Sequence, residues 1–119
     1  MKGNYQMDQP LVFLHGSGDS GRVWRSQLSH FGPQRAIAID LPGHGQRPDT
    51  LPPEVSVQDY AHVVYELITH NLRLELPIIA GHSLGGAIAL SLALEHSAAF
   101  SGFILIGTGA RLRVHPALL

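Results

Sequence analysis

Cysteine is absent from all 119 residues, which excludes disulfides, thiolate metal sites and a cysteine nucleophile. Lysine is nearly as scarce. Lys2 is the only one, and a Walker-type phosphate loop needs a lysine after its glycines, so that loop is excluded as well. Charged residues make up 14% of the chain, and eight basic against nine acidic side chains leave no field of one sign for nucleic acid. The most apolar segment is too short and too rich in glycine to span a bilayer. Met1 to Gln9 is polar and lacks the apolar core of a signal peptide, so a cytoplasmic setting is the expectation, with no membrane partner. What the chain does have is apolar content. Hydrophobic residues reach 45%, which suits one domain with a real core and reads as the inner part of something larger.

The most informative stretch is Gly81-His82-Ser83-Leu84-Gly85, directly after the apolar run Pro77-Ile78-Ile79-Ala80. A serine hydroxyl is a poor nucleophile. A Gly-x-Ser-x-Gly turn between a buried strand and a helix exposes it at the C-terminal edge of a sheet, with the helix's N–H groups and positive dipole end beside it. Ile78 and Ile79 are β-branched, and Leu84 to Leu94 is alanine-rich and long enough for a buried helix, so strand, turn and helix come in the required order. The plainer alternative is a glycine-rich packing turn whose serine caps the helix.

Two further segments belong with it. Leu11-Val12-Phe13-Leu14 predicts a buried strand ending in His15-Gly16-Ser17-Gly18, a loop whose backbone N–H groups can approach a ligand closely. In acyl-transfer chemistry such a loop offers one oxyanion donor, here the N–H of Ser17, and the residue after the nucleophile, Leu84, offers the other. Ala36-Ile37-Ala38-Ile39-Asp40 predicts a third strand, closed by Leu41-Pro42-Gly43-His44-Gly45. Ser56-Val57-Gln58-Asp59 resembles a capping box, followed by Val57, Tyr60, Val63, Val64, Leu67 and Ile68 at helical spacing. Ser20 to Phe31, ended by Gly32-Pro33, is a weaker helix candidate. Strands and helices alternate, which predicts an α/β fold: a mostly parallel sheet with helices on both faces. Thr50-Leu51-Pro52-Pro53 reads as a rigid connector inside one unit.

Leu14-His15-Gly16, Asp40-Leu41-Pro42-Gly43-His44-Gly45 and Gly81-His82-Ser83-Leu84-Gly85-Gly86, in this order and at these intervals, resemble the α/β-hydrolase superfamily. Phe103-Ile104-Leu105-Ile106-Gly107-Thr108-Gly109-Ala110 looks like the family's next core strand and the loop towards its lid. The resemblance runs from Leu11 onward. It implies a serine hydrolase with Ser83 as nucleophile and Ser17 and Leu84 as the oxyanion hole, acting on an ester, thioester, lactone or related small acyl substrate with no cofactor. Members complete the triad with an acid and a histidine after the serine. Here only Glu95, His96 and His115 follow Ser83 as such residues. Glu95 and His96 fall about 18 Å along the helix at 1.5 Å per residue, and His115 precedes Pro116 where a lid would start. The resemblance therefore implies residues 1–119 as a partial core domain lacking lid and later strands, inactive alone. Its Phe103–Gly107 edge is expected to pair with a second copy or a missing C-terminal half.

A rival reading sits in the first loop. Gly16, Gly18 and Gly21 form a literal G-x-G-x-x-G after a strand, and Asp40 ends the next strand about twenty residues on, as in a dinucleotide-binding module. The eight histidines show no paired metal-ligand spacing. His15, His44 and His82 each sit in a glycine-flanked loop, placed either to line one cleft or to fix loop geometry, and Asp40 reads as a loop-fixing carboxylate because it precedes the serine. A remnant that keeps the sheet without the chemistry is the remaining alternative.

Overall fold

The computed structural model describes residues 9–51 and 54–107. Four parallel strands, β1 (Leu11–Leu14), β2 (Ala36–Ile39), β3 (Ile78–His82) and β4 (Gly102–Ile106), lie in the order β2-β1-β3-β4. Three α-helices connect them: α1 (Arg25–Phe31), α2 (Val57–Glu66) and α3 (Leu84–His96). The expected α/β architecture with helices on both faces is what the chain adopts. β1 pairs on both edges, and all four of its residues are buried, as a central parallel strand requires.

Strand alternation divides the core in two. Val12, Leu14, Ile79 and Ile39 point to one face, where they meet Val64 and Ile68 from the α2 region and Ile88 and Leu92 of α3. Leu11, Phe13, Ala36 and Ala80 point to the other, where Trp24 closes over them, its ring 4.9 Å from that of Phe13. α3 is buried on much of its circumference, and Gly85, Gly86, Ala89 and Ser91 there are small enough to let it lie close on the sheet beside the larger Ile88 and Leu92. A Cβ on Gly85 would collide with the carbonyl of Leu14, and one on Gly81 with the carbonyl of Gly85.

Several boundaries differ from the sequence expectation. β3 continues two residues past the expected Pro77–Ala80 run, because Gly81 and His82 still pair with Leu105 and Ile106 of β4. The fourth strand ends at Ile106; Gly107 turns out of it at φ 63° and does not belong to the edge. The Ser20–Phe31 segment splits into a 3-10 turn over Gly21–Trp24 and the short α1, with Ser20 capping the turn through Arg22 N–H at 3.3 Å. α2 is followed by a π-helical turn over Leu67–Asn71, where the Thr69 hydroxyl donates to the Tyr65 carbonyl at 2.7 Å and competes with the regular backbone ladder. Thr108 to Ala110, His115 and the Pro52-Pro53 part of the connector lie outside the described residues.

Candidate active site

The strand order sets the place. The chain passes from β1 to β2 on one side and then returns to put β3 on the other side of β1, so the order of the strands reverses between β1 and β3. Open parallel sheets bind ligands at such a switch point. The loops after those two strands are His15–Ser20 and the turn at Ser83.

Ser83 sits between β3 and α3 at φ 55°, ψ −114°, a conformation that costs a non-glycine residue about 1–3 kcal/mol and needs bracing from outside. The braces are visible. Ser83 N–H donates to the Ile106 carbonyl of β4 at 3.2 Å, and its own carbonyl accepts from Ala87 N–H at 3.0 Å to begin α3. Gly81 and Gly85 let the helix seat against the sheet immediately on either side. Although Ser83 occupies the N-cap position of α3, its side chain makes no capping hydrogen bond. The capping-serine alternative therefore does not describe this turn.

Gly16 approaches Ser83 closely: a Cβ built on it would lie 3.4 Å from Ser83 Cβ and 3.3 Å from His82 Nδ1. The structure thus brings the first loop and the serine turn together. The exposed Ser17 follows Gly16, and Leu84 opens α3, whose first-turn N–H groups have no carbonyl one turn back. The Gly16 carbonyl is held on the inner side of its loop, accepting from His15 Nδ1–H at 2.7 Å and from Asp19 N–H at 3.1 Å. Because the peptide is planar and trans, the Ser17 N–H points the opposite way, out of the turn.

His15 is fully buried and works as a clasp. Its Nε2 accepts from Leu41 N–H at 3.0 Å, which fixes the neutral tautomer with the proton on Nδ1 and ties the loop after β1 to the loop after β2. Burial lowers its pKa, opposed in part by the hydrogen bond to Gly16. His44 stands beside it, ring centroids 5.0 Å apart, with its own Nδ1 on the Pro42 carbonyl at 2.9 Å. For His15 and His44, loop fixing is the role these contacts describe. The clasp itself escaped sequence reading, since nothing local announces a partner 26 residues away.

Asp40 is a loop-fixing carboxylate, as expected. One oxygen accepts from Gly21 N–H at 2.7 Å, the other from Gln46 N–H at 3.0 Å, and its carbonyl accepts from Arg47 Nε at 2.6 Å. Burial pushes its carboxyl up, but the N–H groups of Gln46 and Gly21, with His15 and Arg47 nearby, outweigh that and hold it below the usual carboxylate range. Gly16, Gly18 and Gly21 do occur in fingerprint order. Yet the carboxylate that a dinucleotide reading needs for a ribose is engaged by the third of those glycines, and the segment after Gly21 is a 3-10 turn instead of a long helix aimed at a pyrophosphate. His96 stacks on Tyr65 with ring centroids 3.7 Å apart at the far end of α3, well away from Ser83. Among the described residues no group of three or more His, Asp or Glu is arranged to hold a metal ion.

Fold and site together define an α/β protein of hydrolase architecture, with a strained serine turn at the sheet's switch point. A sequence profile of the Alpha/beta hydrolase family matches residues 11–119, and the chain belongs to that family. It is 37% identical over 81 residues to the (E)-2-((N-methylformamido)methylene)succinate hydrolase of Acinetobacter baylyi, covering 67% of this chain and 30% of that protein. It is 32% identical over 110 residues to the 2-succinyl-6-hydroxy-2,4-cyclohexadiene-1-carboxylate synthase of Klebsiella pneumoniae, covering 91% and 39%. A solved N-acyl homoserine lactone degrading enzyme superposes with a TM-score of 0.75 at 29% identity, covering 88% of this chain and 40% of its own. The chain thus spans between 30% and 40% of the length of these three relatives. Among the described residues no helix is long and apolar enough to cross a membrane.

Proposed function

We propose that the chain carries the nucleophile half of a serine hydrolase acting on a carboxylic ester, thioester, lactone or related acyl substrate. The observation that supports this best is the backbone of Ser83, strained and braced at the switch point without serving as a helix cap. In this reading Ser83 Oγ attacks the acyl carbon while its proton passes to a base. The negative oxygen of the tetrahedral intermediate is held by the N–H groups of Ser17 and Leu84. The leaving group departs with a proton, and water then releases the acyl group from Ser83. A relative that degrades a lactone and another that hydrolyses a succinate derivative suit an acyl substrate for this chain.

The base comes from outside the described residues. Both ring nitrogens of His15 are engaged, the His82 ring lies against Gly16 and Gly107, and His96 is stacked on Tyr65 at the far end of α3. In a comparable triad, loss of the base costs about a millionfold in turnover while oxyanion binding retains roughly a thousandfold over water. A polypeptide supplying the later acid and histidine would add strands at the β4 edge, where Ile104, Leu105 and Ile106 are 49%, 39% and 43% exposed, and the same edge suits pairing with a second copy. The experiment is turnover of p-nitrophenyl acetate by these 119 residues. Near-inert behaviour, restored by a polypeptide carrying the late acid and histidine, is expected. Ordinary enzymatic rates from the chain alone, abolished by Ser83→Ala, would mean that His115 or a histidine of a second copy completes the site.

A further inference from the structure

The loop after β1 is tied at both ends to adjacent residues that follow β2. At its start, His15 Nε2 accepts from Leu41 N–H at 3.0 Å; at its finish, Gly21 N–H donates to the Asp40 carboxylate at 2.7 Å. Between the two ties Ser17, Gly18 and Asp19 are exposed, so the tip of the loop is held through its base and not by burial. The tip is a tight turn in which Asp19 N–H donates back to the Gly16 carbonyl at 3.1 Å, with Gly18 at φ 81° where a type II turn calls for glycine. His15 Nδ1 lies 2.7 Å from the same carbonyl, and it belongs to a fully buried side chain. A backbone N–H can only donate, so Leu41 leaves Nε2 as the acceptor and Nδ1 as the nitrogen that carries the proton. The Leu41 amide thus selects the tautomer, and the tautomer puts a second donor on the Gly16 carbonyl. The Gly16–Ser17 peptide is planar and trans, so fixing its carbonyl fixes the direction of the Ser17 N–H.

We propose that His15 is a positioning residue of the oxyanion site: its Nδ1–H, kept there by the Leu41 N–H, locks the Gly16–Ser17 peptide and so aims the Ser17 N–H. The consequence for catalysis rests on the acyl-transfer reading, but the lock itself does not. In this role His15 transfers no proton and touches no reacting atom. Stability and rate then depend on different nitrogens of one ring. Nε2 satisfies the buried Leu41 N–H, whereas Nδ1 aims the amide of the exposed Ser17.

Two substitutions separate these duties. Asparagine can place an N–H at the Nδ1 position but cannot reach Leu41, while glutamine can place an oxygen near the Nε2 position and leaves the Gly16 carbonyl without its side-chain donor. The test measures labelling of Ser83 by a fluorophosphonate, resolved into kinact and KI, beside urea unfolding and the resonances of the Gly16 carbonyl carbon and the Ser17 amide nitrogen. His15→Gln is expected to lower kinact by about 10- to 100-fold, the range of a misplaced or lost oxyanion donor, with KI nearly unchanged. It should shift both resonances and yet be the more stable variant of the two. His15→Asn is expected to be the less stable and to label faster than His15→Gln, with both resonances closer to wild type. Wild-type kinact in His15→Gln, or a kinact that simply follows stability across the two variants, would overturn the proposal. If wild-type Ser83 does not label, the acyl-transfer reading fails and the resonances still decide the lock: a shift larger in His15→Gln than in His15→Asn supports it, and any other pattern refutes it. Should either variant fail to fold, the imidazole nitrogens of the wild-type chain decide. A proton on Nδ1 protected from solvent exchange supports the lock; a proton on Nε2, or one on Nδ1 that exchanges freely, refutes it.

Discussion

Among the described residues, Ser56 and Ser83 both stand at the N-termini of α-helices and do opposite things. Ser56 precedes α2 in extended backbone, φ −111° and ψ 169°; its hydroxyl accepts from Asp59 N–H at 3.2 Å while the Asp59 carboxylate accepts from Ser56 N–H at 2.9 Å. Ser83 precedes α3 at φ 55° and ψ −114°, and its side chain caps nothing. The first arrangement is closed within four residues and lowers the energy of the helix it starts. The second is unfavourable on its own and persists because a neighbouring strand, a neighbouring loop and two glycines fix it from outside. The difference separates a serine that stabilises the fold from one the fold must hold in place.

That contrast can be broken most forcefully at the glycines. Gly85→Ala puts a methyl into the backbone of Leu14, which cannot swing away as a side chain can, so the loss of stability should reach or exceed the upper end of the roughly 1–3 kcal/mol typical of overpacking. Urea unfolding measures it, and a loss under 1 kcal/mol would mean that α3 is not seated on β1 as described. Next comes Asp40→Ala, which leaves the Gly21 and Gln46 N–H groups without their acceptor and should cost about 1–3 kcal/mol in the same assay.

The serines themselves give smaller effects of opposite sign. Ser56→Ala should destabilise by about 0.5–2 kcal/mol through loss of the cap. Ser83→Gly should stabilise by about 1 kcal/mol, because glycine adopts the same backbone without the steric cost. If both substitutions destabilise alike, the two serines are equivalent and the comparison fails.

The smallest effect is a pH dependence at the clasp. Burial lowers the folded-state pKa of His15 below the ordinary imidazole value of 6.5, so the unfolded chain binds the proton first. Its contribution is fully present above about pH 6.5 and is lost as pH falls from there through the lowered folded value. Thermal melts should fall in that window for wild type and flatten there for His15→Gln. An unchanged slope would remove His15 from the account.

What could be read from the sequence follows the same division. The capping box at Ser56 and Asp59 was legible because every partner lies within four residues. The serine turn was legible because Gly81, Ser83 and Gly85 are contiguous and its flanking strand and helix are strongly patterned. The His15 clasp on Leu41 and the two N–H groups gathered by Asp40 were not, since their partners come together only when β1 and β2 pair. Nor was the extension of β3 through His82: glycine and histidine carry no strand signal, and it is pairing with β4 that keeps them extended. Nor was the π-turn after α2, where the Thr69 hydroxyl donates to the Tyr65 carbonyl a turn back.

The central claim is that Ser83, and no other serine, is held for nucleophilic attack. Treating the chain with a fluorophosphonate and mapping the modified peptide by mass spectrometry tests it directly. The account predicts slow labelling confined to Ser83 and abolished by Ser83→Ala, with Ser56 and Ser17 unmodified. Labelling that survives Ser83→Ala, or that falls on Ser56 as readily as on Ser83, would contradict it.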